Sequence, residues 1–199
     1  MRLETRAAQE RDLPEIKRQI DEYISPEYYS QEELKELLHR DGTMFYVVTD
    51  ADAGDRIVSY FYAFISPLRD ALGDLHAKEL PEALRGYGPD TLAGVYKTSS
   101  TVKEYQGNGI CSSFVRGLEP VLRERGAKMV LATAMRSPEG VVPMKRIFDG
   151  FGYEAIGELI RPWEQMDIYC IYCKRRHCIC DAVFYMKKLD DEEGGCVDG

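Results

Sequence analysis

The stretch Thr101-Val102-Lys103-Glu104-Tyr105-Gln106-Gly107-Asn108-Gly109-Ile110-Cys111 decides the fold, because a strand there leads through a turn directly into a helix. The β-branched run Thr91–Val102 precedes the turn, and the amphipathic run Gly109–Arg125 follows it. Glycines let the backbone approach a ligand closely, and free N–H groups at a helix start attract an anion such as a pyrophosphate. The turn lacks both the G-x-G-x-x-G spacing of dinucleotide sites and the Gly-Lys-Ser/Thr of a P-loop. On these residues alone, a tight turn without a ligand is the alternative.

The rest of the chain alternates between runs typical of strands and runs typical of helices. Capping patterns at Asp12-Leu13-Pro14-Glu15 and Ser30-Gln31-Glu32-Glu33 predict two amphipathic helices, and short helices are expected within Pro67–Asp90 and over Pro143–Gly150. The remaining strands are predicted at Met1–Ala8, Met44–Asp50, Arg56–Ser66, Met129–Met135, Tyr153–Ile160 and Ala182–Leu189. This order of elements predicts a mixed α/β sheet covered by helices.

The central turn resembles the acyl-CoA pyrophosphate loop of the GNAT superfamily of N-acyltransferases, whose pattern is Gln/Arg-x-x-Gly-x-Gly/Ala. Gln106, Gly109 and Cys111 occupy its three specified positions. Phe148–Tyr153 looks like the family's Tyr-x-x-x-Gly-Phe signature, and the run from Tyr185 to Leu189 looks like its last strand. The resemblance covers residues 1–189 in the family's order.

This resemblance implies an α/β (α+β) fold with a mostly antiparallel central sheet flanked by helices. Acetyl-CoA would lie in a V between the strands Thr91–Val102 and Met129–Met135. Backbone N–H groups of the turn would hold its pyrophosphate, and the Thr101–Val102 backbone would pair with its pantetheine amides. The implied cofactor-binding residues are Thr101, Val102, Gln106, Gly107, Asn108, Gly109, Ile110, Cys111 and Ser112.

Three positions depart from the family pattern. Cys111 stands where glycine or alanine is usual, Phe148 replaces the usual tyrosine, and the asparagine often found earlier falls near Val141. Because phenylalanine cannot protonate a leaving thiolate, the catalytic residues stay unassigned. The candidates, for each of which packing within a strand is the alternative, are Tyr60, Tyr62, Tyr96 and Ser99.

Four of the six cysteines form a cluster with the spacing Cys-x2-Cys-x4-Cys-x-Cys. Its members are Cys170, Cys173, Cys178 and Cys180. Thiols stay reduced in the cytoplasm, and four thiolates suit zinc in a closed tetrahedral structural site. The basic residues Lys174, Arg175 and Arg176 are expected to lower the thiol pKa values. The alternatives are an iron–sulfur cluster, four packing cysteines, and His177 in place of one thiolate.

The cluster falls between the last two predicted strands, which form a hairpin in the family. Residues 163–181 are therefore a cysteine-rich flap inserted in a single acyltransferase-like domain, residues 1–189. The resemblance places this loop near the acceptor side of the site. Residues 190–199, with Cys196, are predicted to be an acidic disordered tail.

Composition narrows the classes of function. The 199 residues are 44% hydrophobic and 30% charged, with a formal net charge of −8. The tail holds five acidic residues and no basic one, which leaves 29 acidic against 26 basic residues in the rest of the chain. This balance argues against nucleic acid and anionic lipid as partners. The short apolar runs and the lack of a signal-peptide pattern predict a cytoplasmic protein that does not enter membranes.

The leading hypothesis is an N-acetyltransferase that moves acetyl from acetyl-CoA to a small-molecule or peptide amine by direct attack in a ternary complex. A structural zinc accompanies it, and a homodimer is compatible with the sequence. The alternatives are a non-catalytic acyl-CoA-binding or regulatory protein of the same fold, and a zinc-dependent interaction module.

Overall fold

The computed structural model describes residues 1–189, so the predicted tail and Cys196 lie outside the described residues. The strands are β1 (Leu3–Ala7), β2 (Thr43–Asp50), β3 (Arg56–Pro67), β4 (Leu92–Thr101), β5 (Met129–Arg136), β6 (Glu154–Leu159), β7 (Tyr169–Cys170), β8 (Arg175–Arg176) and β9 (Asp181–Lys188). The α-helices are α1 (Leu13–Tyr23), α2 (Gln31–His39), α3 (Leu68–Asp74), α4 (Ile110–Glu124) and α5 (Lys145–Gly150).

Seven strands form one central sheet in the order β1-β2-β3-β4-β5-β9-β6. Its neighbouring strands pair antiparallel except β4 and β5, which are parallel. This arrangement confirms the mixed, mostly antiparallel sheet expected from the sequence. The two short strands β7 and β8 form a separate ribbon in the β6–β9 connection.

Each face of the sheet carries its own hydrophobic core. Ile16, Ile20 and Leu34 bring α1 and α2 onto one face, where the rings of β2 and β3 meet them. On the other face α4 packs through an apolar stripe that includes Val115 and Leu122. Burial of side chains such as these contributes about 1.5–3 kcal/mol each, so the two cores fix where the loop before α4 lies.

The two predicted helix starts differ in how they are capped. At α2, Ser30 Oγ accepts from the N–H of Glu33 at 3.1 Å, and the Glu33 carboxylate accepts from the N–H of Ser30 at 2.6 Å. Asp12 does not cap α1, because its carboxylate is engaged by both guanidinium nitrogens of Arg6, at 2.6 and 2.8 Å, and by the N–H of Gln9. Asp12 therefore ties β1 to the start of α1.

The middle of the sheet opens between β4 and β5. These strands are paired from Ala93–Met129 to Tyr96–Ala132 and part beyond that point. On its other side β4 stays paired with β3, but the register shifts so that Lys97 is an extra residue between Tyr96 and Thr98. A bulge of this kind bends a strand and increases its local twist, which accompanies the divergence of β4 from β5.

Within residues 1–189, no helix combines the length and apolar character needed to cross a lipid bilayer.

Candidate functional site

The turn between β4 and α4 is built by two glycines and two side-chain amides. Gly107 and Gly109 have φ angles of 81° and 76°, in the left-handed region that favours glycine. Asn108 Nδ2 donates to the carbonyl of Tyr105 at 3.0 Å, and Gln106 Nε2 donates to the carbonyl of Thr101 at 2.9 Å. These hydrogen bonds hold the loop in shape. The N–H of Gln106 is also engaged, since it donates to the carbonyl of Lys103 at 3.2 Å, so the loop N–H groups left for another partner are those of residues 107–109.

The first turn of α4 completes this anion-attracting surface. The first hydrogen bond of the helix runs from the N–H of Ser113 to the carbonyl of Gly109 at 2.9 Å. The N–H groups of Ile110, Cys111 and Ser112 precede it and have no acceptor within the helix. Apart from the adjacent residues, no atom of the described chain lies within 4 Å of where a Cβ on Gly107 or Gly109 would sit, so the loop is open on that side. A phosphate group fits these features.

The gap between β4 and β5 begins next to this loop. Beyond Tyr96 and Ala132 the two strands no longer share hydrogen bonds, so their facing edges can pair with an extended ligand. At the far end, Val102 is already engaged, since its N–H donates to Val58 and its carbonyl accepts from Tyr105, both at 2.9 Å. At the expected pantetheine position, the carbonyl of Thr101 is engaged as well, because it accepts from Gln106 Nε2 at 2.9 Å.

One pair of the predicted catalytic candidates is brought together on the α4 face. The Tyr96 hydroxyl lies 2.7 Å from Ser99 Oγ and 3.3 Å from Cys111 Sγ. Burial raises the pKa of Tyr96 well above its usual value and also raises the pKa of the Cys111 thiol. At neutral pH the tyrosine is a protonated donor, and Cys111 is a neutral packing residue beside Met144 rather than a nucleophile.

Phe148 lies against this network. Its side chain is 1% exposed, and its ring centroid is 5.6 Å from that of Tyr96, with Tyr153 and Tyr185 at 4.9 and 5.0 Å. The position that the sequence resemblance aligns with a tyrosine therefore lies in an aromatic cluster. Three tyrosines surround Phe148, and the hydroxyl of Tyr96 on β4 is the one bonded to Ser99 and Cys111.

The other two tyrosine candidates lie on the opposite face. Tyr60 is fully buried and its hydroxyl contacts Thr98 Oγ1 at 3.0 Å. Tyr62 is also buried, packs between Phe45 and Phe64, and has a hydroxyl without a hydrogen-bond partner in residues 1–189. Both contribute to the α1–α2 core, and Tyr60 reaches the parting strands only through Thr98.

A cavity of about 130 Å³ opens at the parted strands and extends to the flap. Lys97 and Thr98 of β4 and Thr133 and Met135 of β5 line one part of it. The α1–α2 connection and the flap supply the rest, through Ile24, Ser25, Tyr28, Trp163, Ile168, Cys170, Tyr172 and Cys178. Sequence reasoning placed the flap near the acceptor side, and the cavity joins the flap to the gap between β4 and β5.

The four cysteines converge at the β7–β8 ribbon. All four Sγ atoms lie within 4.8 Å of one another, and the Cys170–Cys180 and Cys173–Cys178 pairs are each 3.9 Å apart. Four sulfurs at about 2.3 Å from a tetrahedral zinc would be about 3.8 Å apart, so the arrangement fits that ion. Cys170, Cys178 and Cys180 are buried, and Cys173 is half-buried. All four are free thiols in the structure.

The ionisation of the cluster is uneven. The thiol of Cys178 and the backbone N–H groups of Cys173 and Tyr172 stabilise the Cys170 thiolate, which lowers its pKa to about 5. Burial raises the pKa of Cys180 to about 12, and the pKa of Cys178 is also raised, because its thiol donates to Cys170. Of these three thiols, Cys170 is therefore the one whose surroundings favour loss of the proton.

Arg176 pairs with Glu27 at 2.8 Å and with Asp167 at 2.9 Å, so it fastens the flap to the α1–α2 connection. The main causes of the pKa shifts in the cluster are burial, the other cysteines and backbone N–H groups, and the basic residues 174–176 are not among them. His177 is exposed, and its Nδ1 lies 3.2 Å from the carbonyl of Glu164. The candidate ligand set therefore consists of the four thiols.

Several residues that surround the gap between β4 and β5 could not be identified as part of the site from the sequence. The bulge at Lys97 depends on strand pairing, and Ser25 and Tyr28 lie in a connection that the sequence marked only by Pro26. His76 follows α3 with a left-handed φ of 58°, and its ring centroid lies 6.4 Å from that of Trp163 in the flap. Only tertiary structure brings these groups together.

Comparison with known proteins finds solved structures with a similar fold, but no protein that matches by sequence. No protein-family model and no curated protein sequence matches the chain. The structure of Arabidopsis thaliana NAA60 in complex with acetyl-CoA matches with a TM-score of 0.69 at 12% identity, over 96% of this chain and 100% of that one. A chain of the NatC complex bound to Gag peptide and CoA matches at 0.66 and 16%, over 96% and 100%.

A third structure, the ribosomal-protein-S18-alanine N-acetyltransferase from Escherichia coli, matches with a TM-score of 0.63 at 11% identity, over 98% of both chains. At such identities the likeness concerns the fold. The parted β4 and β5 and the glycine turn before α4 are the features that the sequence resemblance implied. The chain has the fold of the GNAT N-acetyltransferases, with a cluster of four cysteines inserted before its last strand.

Proposed function

We propose that this chain is an N-acetyltransferase that transfers acetyl from acetyl-CoA to an amine by direct attack in a ternary complex. The observation that carries the proposal is the parting of β4 and β5 beyond Tyr96 and Ala132, directly beside the glycine turn. The turn and the first N–H groups of α4 would hold the pyrophosphate, and the open strand edges would pair with the pantetheine. The structural neighbours that carry acetyl-CoA or CoA support this assignment.

In this proposal the two substrates meet in the gap from opposite sides. Acetyl-CoA lies on the side of α4, and the amine enters through the cavity that the flap borders. The amine nitrogen attacks the thioester carbonyl, the C–N bond forms, and the C–S bond breaks. The nitrogen releases a proton to solvent, and the departing thiolate takes one up. Holding both reactants in line can supply about 7–11 kcal/mol of the barrier reduction.

We assign the protonation of the thiolate to Tyr96, whose hydroxyl is oriented by Ser99 and Cys111. Tyr96→Phe is expected to lower kcat by about 10²-fold, the lower end of the effect of a general acid. The KM for acetyl-CoA should change little, because the variant leaves the loop intact. Steady-state release of CoA thiol measures both parameters.

The matched control is Tyr153→Phe, which also removes a buried tyrosine hydroxyl but one without a hydrogen-bond partner in residues 1–189. It should keep the wild-type kcat. An unchanged kcat in Tyr96→Phe, with a wild-type circular dichroism spectrum, would remove Tyr96 from the mechanism.

Phe148→Tyr is expected to leave turnover unchanged or to raise it, because the family has a tyrosine at this position. Its new hydroxyl enters an aromatic cluster, and an unpaired buried hydroxyl costs about 1–3 kcal/mol of unfolding free energy. We therefore expect a lower melting temperature together with undiminished kcat. A severe loss of turnover in a folded variant would count against the alignment of α5 with the family's helix.

We propose a structural zinc held by Cys170, Cys173, Cys178 and Cys180. The support is the fit of the Sγ–Sγ distances to a tetrahedral tetrathiolate and the burial of three of the thiols. The ion would close the β7–β8 ribbon and so fix the wall of the cavity. With four protein ligands it would have no open position for substrate, so its part is to hold structure.

A second function is favoured by one observation. Phe148 and the lack of a carboxylate on β4 leave the site with few groups that move protons, as in a protein that binds acyl-CoA without turnover. Melting curves with acetyl-CoA, combined with thiol release across a panel of amines, separate the two functions. Stabilisation by acetyl-CoA without release by any amine favours the binding protein, and amine-dependent release favours the enzyme.

A further inference from the structure

The lining and the volume of the cavity between the parted strands and the flap restrict the kind of acceptor that can bind there. The cavity's apolar and aromatic lining comes from Ile24, Tyr28, Met135, Trp163, Ile168 and Tyr172. A volume of about 130 Å³ is well below the ~300–1,000 Å³ of sites that enclose a drug-sized ligand, so only one end of an acceptor fits inside.

The hydroxyl of Ser25 also indicates a ligand in this cavity, in addition to the apolar lining. Ser25 lines the cavity, it is 1% exposed, and its Oγ has no hydrogen-bond partner in residues 1–189. A buried hydroxyl without a partner is unfavourable, and native structures rarely keep one without a reason. A polar group that enters the cavity beside apolar walls would satisfy it.

The carboxylates around the cavity are not arranged for an acceptor with additional positive charges. No carboxylate lines it among the described residues, and its one lining ammonium group is Lys97, whose Nζ donates to the carbonyl of Asp74. The nearby carboxylates are engaged elsewhere, since Asp74 pairs with Arg40 at 2.9 Å and Glu27 pairs with Arg176. Cys170 and Cys178 line the wall, but sulfurs bound to a metal are directed at that metal.

We infer that the acceptor is a primary amine whose neighbouring substituent is apolar, with that substituent in the cavity and a polar group of the acceptor hydrogen-bonded to Ser25. This inference rests on the proposed acetyl transfer and adds the class of acceptor. A free arylalkylamine and the α-amine of a peptide with an apolar first residue share this chemistry.

The same surroundings favour the reactive form of such an amine. Burial and a neighbouring cation both disfavour a second positive charge, and the nucleophile is the neutral amine. His76 lies next to Lys97 and Trp163, and burial together with the charge of Lys97 lowers its pKa to about 4. An amine bound beside Lys97 would experience the same two effects, and both favour its neutral form.

The experiment compares kcat/KM for four acceptors on the full chain, measured by CoA thiol release. They are phenethylamine, a peptide that begins with Phe, the same peptide beginning with Asp, and spermidine. We expect the two apolar acceptors to exceed the other two by at least about 10-fold. The ratio between phenethylamine and the Phe peptide distinguishes a free amine from a polypeptide as the source.

Ser25→Ala tests whether the Ser25 hydroxyl binds the acceptor. The KM for the acceptor is the measurement that a purely structural role of this hydroxyl would leave unchanged. Because it removes an unpartnered hydroxyl, the variant should keep or raise the melting temperature, yet its KM for the apolar acceptor should rise about 5- to 10-fold. Tyr153→Phe, which removes an unpartnered hydroxyl outside the cavity, should leave that KM unchanged. Equal kinetics of Ser25→Ala and wild type would overturn the assignment of Ser25.

The outcomes separate the inference from the proposed function. Faster turnover of spermidine or of the Asp peptide overturns the inference while confirming acetyl transfer. Absence of thiol release with every acceptor, including a broad amine mixture, overturns the proposed function itself.

Discussion

Gly109→Val is expected to lower the affinity for acetyl-CoA by about 100-fold or more. Gly109 has a φ of 76°, and the left-handed conformation costs a residue with a Cβ about 1–2 kcal/mol, more when it is β-branched. The new side chain would also fill the open space against which we place the pyrophosphate, since no atom of the described chain outside the adjacent residues lies within 4 Å of the Cβ position. Isothermal titration with acetyl-CoA measures the loss.

The turn between β2 and β3 supplies a matched control. Gly54 has a φ of 67° and the same free space around its Cβ position, but it lies outside the loop before α4. Gly54→Val should lower the melting temperature by a similar amount and leave acetyl-CoA affinity unchanged. Equal affinities in the two variants would mean that the Gln106–Cys111 turn does not contact the cofactor.

Cys178→Ser is the second change with a large expected effect. Structural zinc contributes on the order of 10–16 kcal/mol of binding free energy to small zinc domains, and loss of one thiolate removes much of this. We expect zinc content, measured by elemental analysis, to fall from one per chain to well below one. Acceptor turnover should drop sharply, because Cys170 and Cys178 line the cavity, whereas acetyl-CoA binding should be retained.

Cys196→Ser serves as the control for this experiment, since it removes a cysteine that lies outside the cluster's spacing. It should keep one zinc per chain and full turnover. A well-folded wild-type protein without zinc, or a coloured protein that contains iron, would contradict the zinc assignment. Loss of acetyl-CoA binding in Cys178→Ser would show that the cluster stabilises the whole domain and not only the flap.

Much of the fold followed from local sequence patterns. The capping box at Ser30, the glycines at 107 and 109 and the alternating strands gave nearly all the element positions, because each depends on interactions within a few residues. The prediction that Asp12 caps α1 was wrong in its detail. Arg6 on β1 competes for that carboxylate, and a contact between separate elements is not visible in a local pattern.

The candidate site was predictable only in part, because most of it is formed by contacts between elements that are distant in the sequence. The spacing of the four cysteines predicted their convergence, which the structure brings within 4.8 Å. The separation of the tyrosine candidates onto two faces depends on the register of β3 and β4. The bulge at Lys97 and the unpartnered hydroxyl of Ser25 likewise arise from packing between elements distant in sequence.

The central claim is that this chain moves an acetyl group from acetyl-CoA to an amine at the gap between β4 and β5. The most direct test incubates the zinc-loaded full chain with acetyl-CoA and the amine panel, and follows CoA thiol and the acetylated amine by mass spectrometry. We predict equal amounts of both products, a preference for the apolar amines, and a large loss of both products in Tyr96→Phe. Acetyl-CoA binding without an acetylated amine from any acceptor would contradict the claim.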